Sequence, residues 1–275
     1  MIYSNIFQGN NQDRKLKISQ NSFTIILVHG YTNNPSDFDL WVEVLEQEEL
    51  QVLTVPYYKK DTIYEPIEKY VQFIADFIAN EQFSNDLILI GFSMGGLVVR
   101  YYLHNLYEKE TLIKKVITIA TPHHGSDLAT WGTIGGVIGD LISKLLAGKT
   151  LLKKPVVNTS IVQLTPYSPF ITKLNNCTSK IQTIYREIPF LNIWLKNDLV
   201  IVPAGNAIVP FKNIINREIS GDLIHNHVLK EKGVQEVLKK EIIPILKHQK
   251  QQRRKGPQSL QKWKDQKEKE KLKQS

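Results

Sequence analysis

Gly91-Phe92-Ser93-Met94-Gly95 sets a serine hydroxyl between two glycines, each two positions away. A serine so flanked suits nucleophilic attack on a carbonyl carbon, provided that the backbone turns sharply enough to lift Oγ clear of its neighbours. Side chains two positions either side of so tight a turn would collide, which is why glycine is needed at both. With 15 Gly and 14 Ser in 275 residues, this spacing arises by chance in roughly four sequences in a hundred. The setting therefore has to carry the argument. Leu87 to Ile90 reads as an apolar strand ending at the motif, and a helical pattern opens near Gly96. That strand-turn-helix context is the one this chemistry requires, with a helix N-terminus beneath Ser93 to favour developing negative charge.

An attacked carbonyl needs donors for its oxygen. Val28-His29-Gly30-Tyr31 closes an earlier strand, and a strand ending in His-Gly can bend so that the next N–H faces the reacting centre. The second donor normally follows the nucleophile. We assign the oxyanion-binding role to the backbone N–H groups of Tyr31 and Met94. His29 precedes the serine and ends a different strand, so it reads as a structural residue and not as a base. His225 and His227 both stand late enough in the chain to serve as base, and Asp198 and Asp222 are the candidate acids before them.

The elements that must position these residues are legible as short apolar runs alternating with helical faces. Thr24 to Val28, Val52 to Val55, Leu87 to Ile90, Val116 to Ile119 and Ile181 to Tyr185 have the length and Ile/Val/Leu content of strands. Phe38, Trp41, Val42 and Leu45 form one helical face, Ile67, Tyr70, Val71, Ile74, Phe77 and Ile78 a second, and Leu97, Val98, Tyr101 and Tyr102 a third. This alternation predicts an α/β fold with a mostly parallel central sheet covered by helices on both faces. It breaks after Thr121. An insert over about 126–176 carries Gly132, Gly135, Gly136 and Gly139, then the apolar run Val137 to Leu146, then Pro155, Pro166 and Pro169. We expect it to be a partly mobile helical cap over the site, with an ordinary core helix as the plainer alternative. A last helix includes Val234, Val237 and Leu238.

Composition narrows the function classes. The net charge of +8 would suggest nucleic acid if it were spread over the surface, but it is not. Residues 248–275 hold ten Lys or Arg against three Asp or Glu, a net +7, so the body 1–247 is near neutrality. No nucleic-acid partner is expected for the body. The tail lacks the apolar content to offset its ordering entropy, so disorder is predicted there. It would attract anionic lipid head groups, and RNA through the same field. No apolar run approaches the roughly 20 residues that span a bilayer, and Met1 to Ser19 is polar where an export signal would be apolar. Cys177 is the only cysteine, sits in no motif, and reads as structural; one thiol makes no zinc pattern with the histidines. These features predict a cytoplasmic protein, peripheral to a membrane if the tail engages one, needing neither cofactor nor metal.

Val28-His29-Gly30-Tyr31, Gly91 to Gly96, and Ala120-Thr121-Pro122-His123-His124-Gly125-Ser126 together resemble the α/β-hydrolase lipases. The look is that of the small bacterial triacylglycerol lipases and the inositol-deacylase-like branch, over Thr24 to about Val237. The resemblance implies the α/β-hydrolase fold over 1–247 and the chain order serine, acid, histidine. Asn197-Asp198-Leu199-Val200-Ile201-Val202-Pro203 resembles the family's acid loop, one residue longer than expected between Asp and Val-Pro, and points to Asp198. Asp222, three residues from His225, reads as a turn former. The family pattern of a leucine four residues and an apolar residue nine residues after the base is met from His225 by Leu229 and Val234. From His227 it meets Glu231 and Glu236. The implied triad is Ser93, Asp198 and His225, with His227 as fallback, and His123 and His124 shape the pocket wall. The expected reaction is hydrolysis of a carboxylic ester, with the apolar insert favouring lipid or long-chain acyl substrates. Two rivals are an acyltransferase using the same triad and a non-catalytic lipid-binding module, which would have lost a triad member.

Overall fold

A computed structural model of the chain describes residues 24–31, 33, 35–47, 50–55, 65–80, 86–108, 113–129, 159–220 and 225–245. Six strands form one sheet: β1 (Thr24–Val28), β2 (Gln51–Thr54), β3 (Leu87–Phe92), β4 (Ile113–Ile119), β5 (Phe190–Leu195) and β6 (Ile214–Ile219). All neighbours run parallel, in the order β2-β1-β3-β4-β5-β6. The helices are α1 (Asp39–Glu46), α2 (Ile67–Asn80), α3 (Met94–Asn105), α4 (Thr159–Gln163), α5 (Pro169–Asn175), α6 (Ser179–Glu187) and α7 (232–245). The parallel sheet with helices on both faces is the architecture expected.

Every residue of β1 and β3 is buried, because a parallel strand covered on both faces has no solvent side. Successive side chains leave on opposite faces. Ile26, Val28, Leu87 and Leu89 enter one core with α2, α3, α5 and α6, whereas Ile25, Leu27, Ile88, Ile90 and Phe92 enter the other with α1 and α7. All six apolar positions of the α2 face are buried in the first core. Each fully buried side chain of this size contributes roughly 1.5–3 kcal/mol.

The strand order also places the site. From β1 the chain crosses to β2 on one side, and from β3 it proceeds to β4 on the other. The two crossovers diverge, leaving a crevice outside the carboxyl ends of β1 and β3, where open α/β sheets bind ligands. Tyr31 and Ser93 lie just beyond those two strand ends.

Two local expectations need correction. Ile181 to Tyr185, read as a strand, lies within α6. Its β-branched residues mislead, because Ile181, Ile184, Tyr185 and Ile188 are the buried positions, at spacings of three and four, while Gln182 and Thr183 are exposed. The Thr178 side chain caps the helix by accepting from the Ile181 N–H, a donor the first turn would otherwise leave unmet. Strands β5 and β6 went unread instead. The helix after Ser93 begins at Met94, two residues before Gly96. Of the insert, α5 packs Phe170, Ile171 and Leu174 into the first core. Its glycine-rich start, the run Val137 to Leu146 and the tail 248–275 lie outside the described residues.

Candidate active site

Ser93 sits at φ 53°, ψ −127°, a backbone conformation that costs a non-glycine residue on the order of 1–3 kcal/mol and persists only where the surroundings enforce it. They do so here. The Ser93 N–H donates to the Ile119 carbonyl at 2.9 Å and the Gly96 N–H to the Ser93 carbonyl at 3.0 Å, pinning the turn between β4 and α3. A Cβ on Gly91 would lie 2.6 Å from the Gly96 Cα, and one on Gly95 would run into the backbone carbonyls of Val28 and His29. Glycine is thus demanded by close approach at both flanks of the serine.

The strained turn delivers Ser93 Oγ to His225, whose Nε2 lies 2.9 Å away. His225 Nδ1–H donates to Asp198 Oδ2 at 2.8 Å. The other carboxylate oxygen, Oδ1, accepts from the backbone N–H groups of Val200 at 2.8 Å and Ile201 at 3.0 Å. Asp198 and His225 are both buried, and the His225 ring leans on Phe92 at 5.2 Å between centroids. Three residues, from the turn after β3, the loop after β5 and the 3-10 helix His225–Lys230, therefore form one hydrogen-bonded chain. The end of β1 also comes close to this chain. Gly30 is so near Ser93 that a Cβ there would meet the serine Cβ at 2.8 Å, which brings the segment bearing Tyr31 beside Ser93. Met94 follows Ser93 as the first residue of α3, where N–H groups have no intrahelical acceptor.

Other histidines are held elsewhere. His29 Nδ1–H donates to the Gly30 carbonyl at 3.0 Å, and burial holds its pKa below the usual histidine value. His123 is fully buried, and its Nδ1 accepts from the Arg100 guanidinium at 3.0 Å. Burial first, then the Arg100 charge, hold its pKa well below the usual histidine value. The side chain of His227 and all of Asp222 lie outside the described residues. Cys177 is exposed and free. Among the described residues, no cluster of His, Cys, Asp and Glu could hold a metal ion.

A family model, palmitoyl protein thioesterase, matches residues 24–213, more than half of the chain and inclusive of Ser93 and Asp198. The chain belongs to the palmitoyl protein thioesterase family. As a member it is an α/β-hydrolase of the esterase, lipase and thioesterase kind, an enzyme that hydrolyses ester or thioester bonds. No curated protein matches the sequence. Among solved structures, the mature lipase BlEst2 of Bacillus licheniformis is similar, with 17% identity over 83% of this chain and 93% of that one, at a TM-score of 0.57. An extracellular α/β-hydrolase from a Paenibacillus species shares 15% identity over 79% and 98% of the two chains, at 0.55. Lipase B of Aspergillus fumigatus shares 14% over 78% and 51%, at 0.54. At such identities these likenesses speak to the fold.

What sequence reasoning missed in this thioesterase-family chain is the polar scaffold under the site. Arg100 on α3 is fully buried. Besides His123, it donates to the Leu174 carbonyl at 3.2 Å and Asn175 Oδ1 at 3.0 Å, and it faces the Phe211 ring at 5.3 Å. His123 Nε2–H points at Asn192 Oδ1, 3.2 Å away, which also accepts from Thr118 Oγ at 2.9 Å. The one available signal was Asn192 itself, a lone amide inside the apolar run Phe190 to Leu195.

Proposed function

We propose that the chain cleaves long-chain acyl esters or thioesters through an acyl-enzyme on Ser93. The observation that carries this reading is the continuous Ser93–His225–Asp198 hydrogen-bond chain, 2.9 and 2.8 Å per link. Ser93 Oγ attacks the acyl carbonyl carbon as His225 Nε2 takes its proton. The oxygen of that carbonyl becomes an oxyanion beside the N–H groups of Tyr31 and Met94, each such donor being worth about 10²–10³ in turnover. Asp198 holds the imidazole tautomer and stabilises the imidazolium. His225 then returns the proton to the departing alkoxide or thiolate, and in the second half it activates the water that releases the acid and frees Ser93.

Two features support an apolar acyl group. The family is one of palmitoyl thioesterases by description, and Leu199, Val200 and Val202, beside Asp198, are apolar side chains left at the surface. The test is a panel of p-nitrophenyl esters and acyl thioesters of increasing chain length, run on the wild type and Ser93→Ala. The variant should keep its fold, since one partly exposed hydroxyl adds little to the core, and lose about 10³-fold or more in rate. A folded Ser93→Ala retaining a tenth of wild-type turnover overturns the mechanism. Rates that fall as the acyl chain lengthens overturn the substrate class alone.

A further inference from the structure

We infer that Ser126 is a positioning residue for the proposed triad, holding the acid loop so that Asp198 meets His225; this rests on the acyl-enzyme reading above. Side-chain packing contributes little to holding this loop. Leu199, Val200 and Val202 are 68%, 39% and 40% exposed, so packing does not fix residues 199–202 apart from the buried Ile201. Yet the direction of the Asp198 carboxylate depends on this backbone, because Oδ1 is held by the Val200 and Ile201 N–H groups and only Oδ2 is left for His225.

One hydroxyl braces that backbone from outside. Ser126 Oγ–H donates to the Val200 carbonyl at 2.6 Å, and the same oxygen accepts from the Val202 N–H at 3.2 Å and the Leu128 N–H at 3.2 Å. A serine hydroxyl has one donor and two acceptor sites, so its whole capacity is spent on these three backbone groups. Ser126 is itself fixed. It is 5% exposed, and its N–H donates to the Leu164 carbonyl at 2.8 Å. On either side of it, the His124 N–H donates to the Asn206 carbonyl and the Asp127 N–H to the Val202 carbonyl, both at 2.8 Å. The segment that begins at β4 beside the Ser93 turn thus reaches across to the acid loop. It sets the nucleophile and the acid in one frame.

The loss expected from Ser126→Ala is one of alignment, since displacements near an ångström in a catalytic group cost up to about 100-fold. With p-nitrophenyl butyrate, kcat should fall between about tenfold and 100-fold while KM stays within about twofold. Ser126→Thr, which keeps the hydroxyl, should recover most of the rate. Lys115→Met, which removes an ion pair with Glu241 at 2.6 Å near the amino end of β4, the end of the sheet opposite the site, should lose stability with kcat intact. Should Ser126→Ala fail to fold, Ser126→Cys, with similar shape and a poor hydrogen-bonding thiol, reads the same loss. Asp198→Asn separates the two levels of the argument. A wild-type kcat for Asp198→Asn sinks the triad itself. A slow Asp198→Asn beside a Ser126→Ala, or the Cys variant in its place, with kcat within twofold of wild type leaves the triad standing and overturns the role of Ser126.

Discussion

Asp198 and His225 are 27 positions apart in the chain and 2.8 Å apart in space, and neither residue type is rare enough for sequence alone to single it out. What distinguished His225 from His227 was the company that each keeps. Leu229 and Val234, the downstream apolar positions used to choose, are both buried in the core shared with α1 and α7. They anchor the segment so that His225 faces inward. His225→Ala should therefore lose orders of magnitude in ester turnover and His227→Ala far less. An inactive His227→Ala beside an active His225→Ala would reverse the assignment.

At the scale of elements, the β3–turn–α3 unit is the most legible part of the molecule, because its requirements are local. Gly95 has room for no side chain, with the Val28 and His29 carbonyls of the neighbouring strand end already against it. Those are backbone atoms and cannot swing aside. Gly95→Ala should cost roughly 1–3 kcal/mol or more, read as a lower denaturant midpoint at unchanged slope. A midpoint equal to the wild type's would show that the turn has slack the structure does not display. The elements that escaped reading have a different cause. In α6, Ile181, Ile184 and Tyr185 favour strands intrinsically, and only the burial of one face against α3 and β5 selects the helix. In β5, an amide at Asn192 interrupts a run that would otherwise look apolar. It is satisfied by Thr118, His123, Asn216 and the Ala207 carbonyl, partners that exist only after folding.

Across the whole molecule, the burial of His29, His104 and His123 bears on acid stability. Burial, then the nearby Arg100 and Lys180 charges, push the His104 pKa down to about 3; burial likewise lowers His29 and His123. An unfolded histidine titrates near 6.5, so between that value and about 3 the unfolded chain binds protons that the native chain refuses. Stability is therefore complete above about pH 6.5 and is lost as pH falls through this window. The urea midpoint should already drop between pH 7.5 and 5, ahead of most carboxylate titration. A flat midpoint over that interval would mean that these rings gain protons in the native state.

The sequence by itself determined what depends on neighbours along the chain. The Gly-x-Ser-x-Gly turn, the strand ending in His-Gly, the two-sided burial of β1 and β3, the amphipathic α2 and the segregation of charge into residues 248–275 are each set by one contiguous stretch of chain. Tertiary structure decided what depends on distance across the sheet. Which histidine meets Ser93, how Ser126 reaches the acid loop, and why a buried arginine on α3 is tolerated follow from side chains brought together by the crossovers β3–α3–β4 and β4–α6–β5. A polar group's worth in a protein interior is fixed by whether its partners arrive. That is decided by packing and not by spacing.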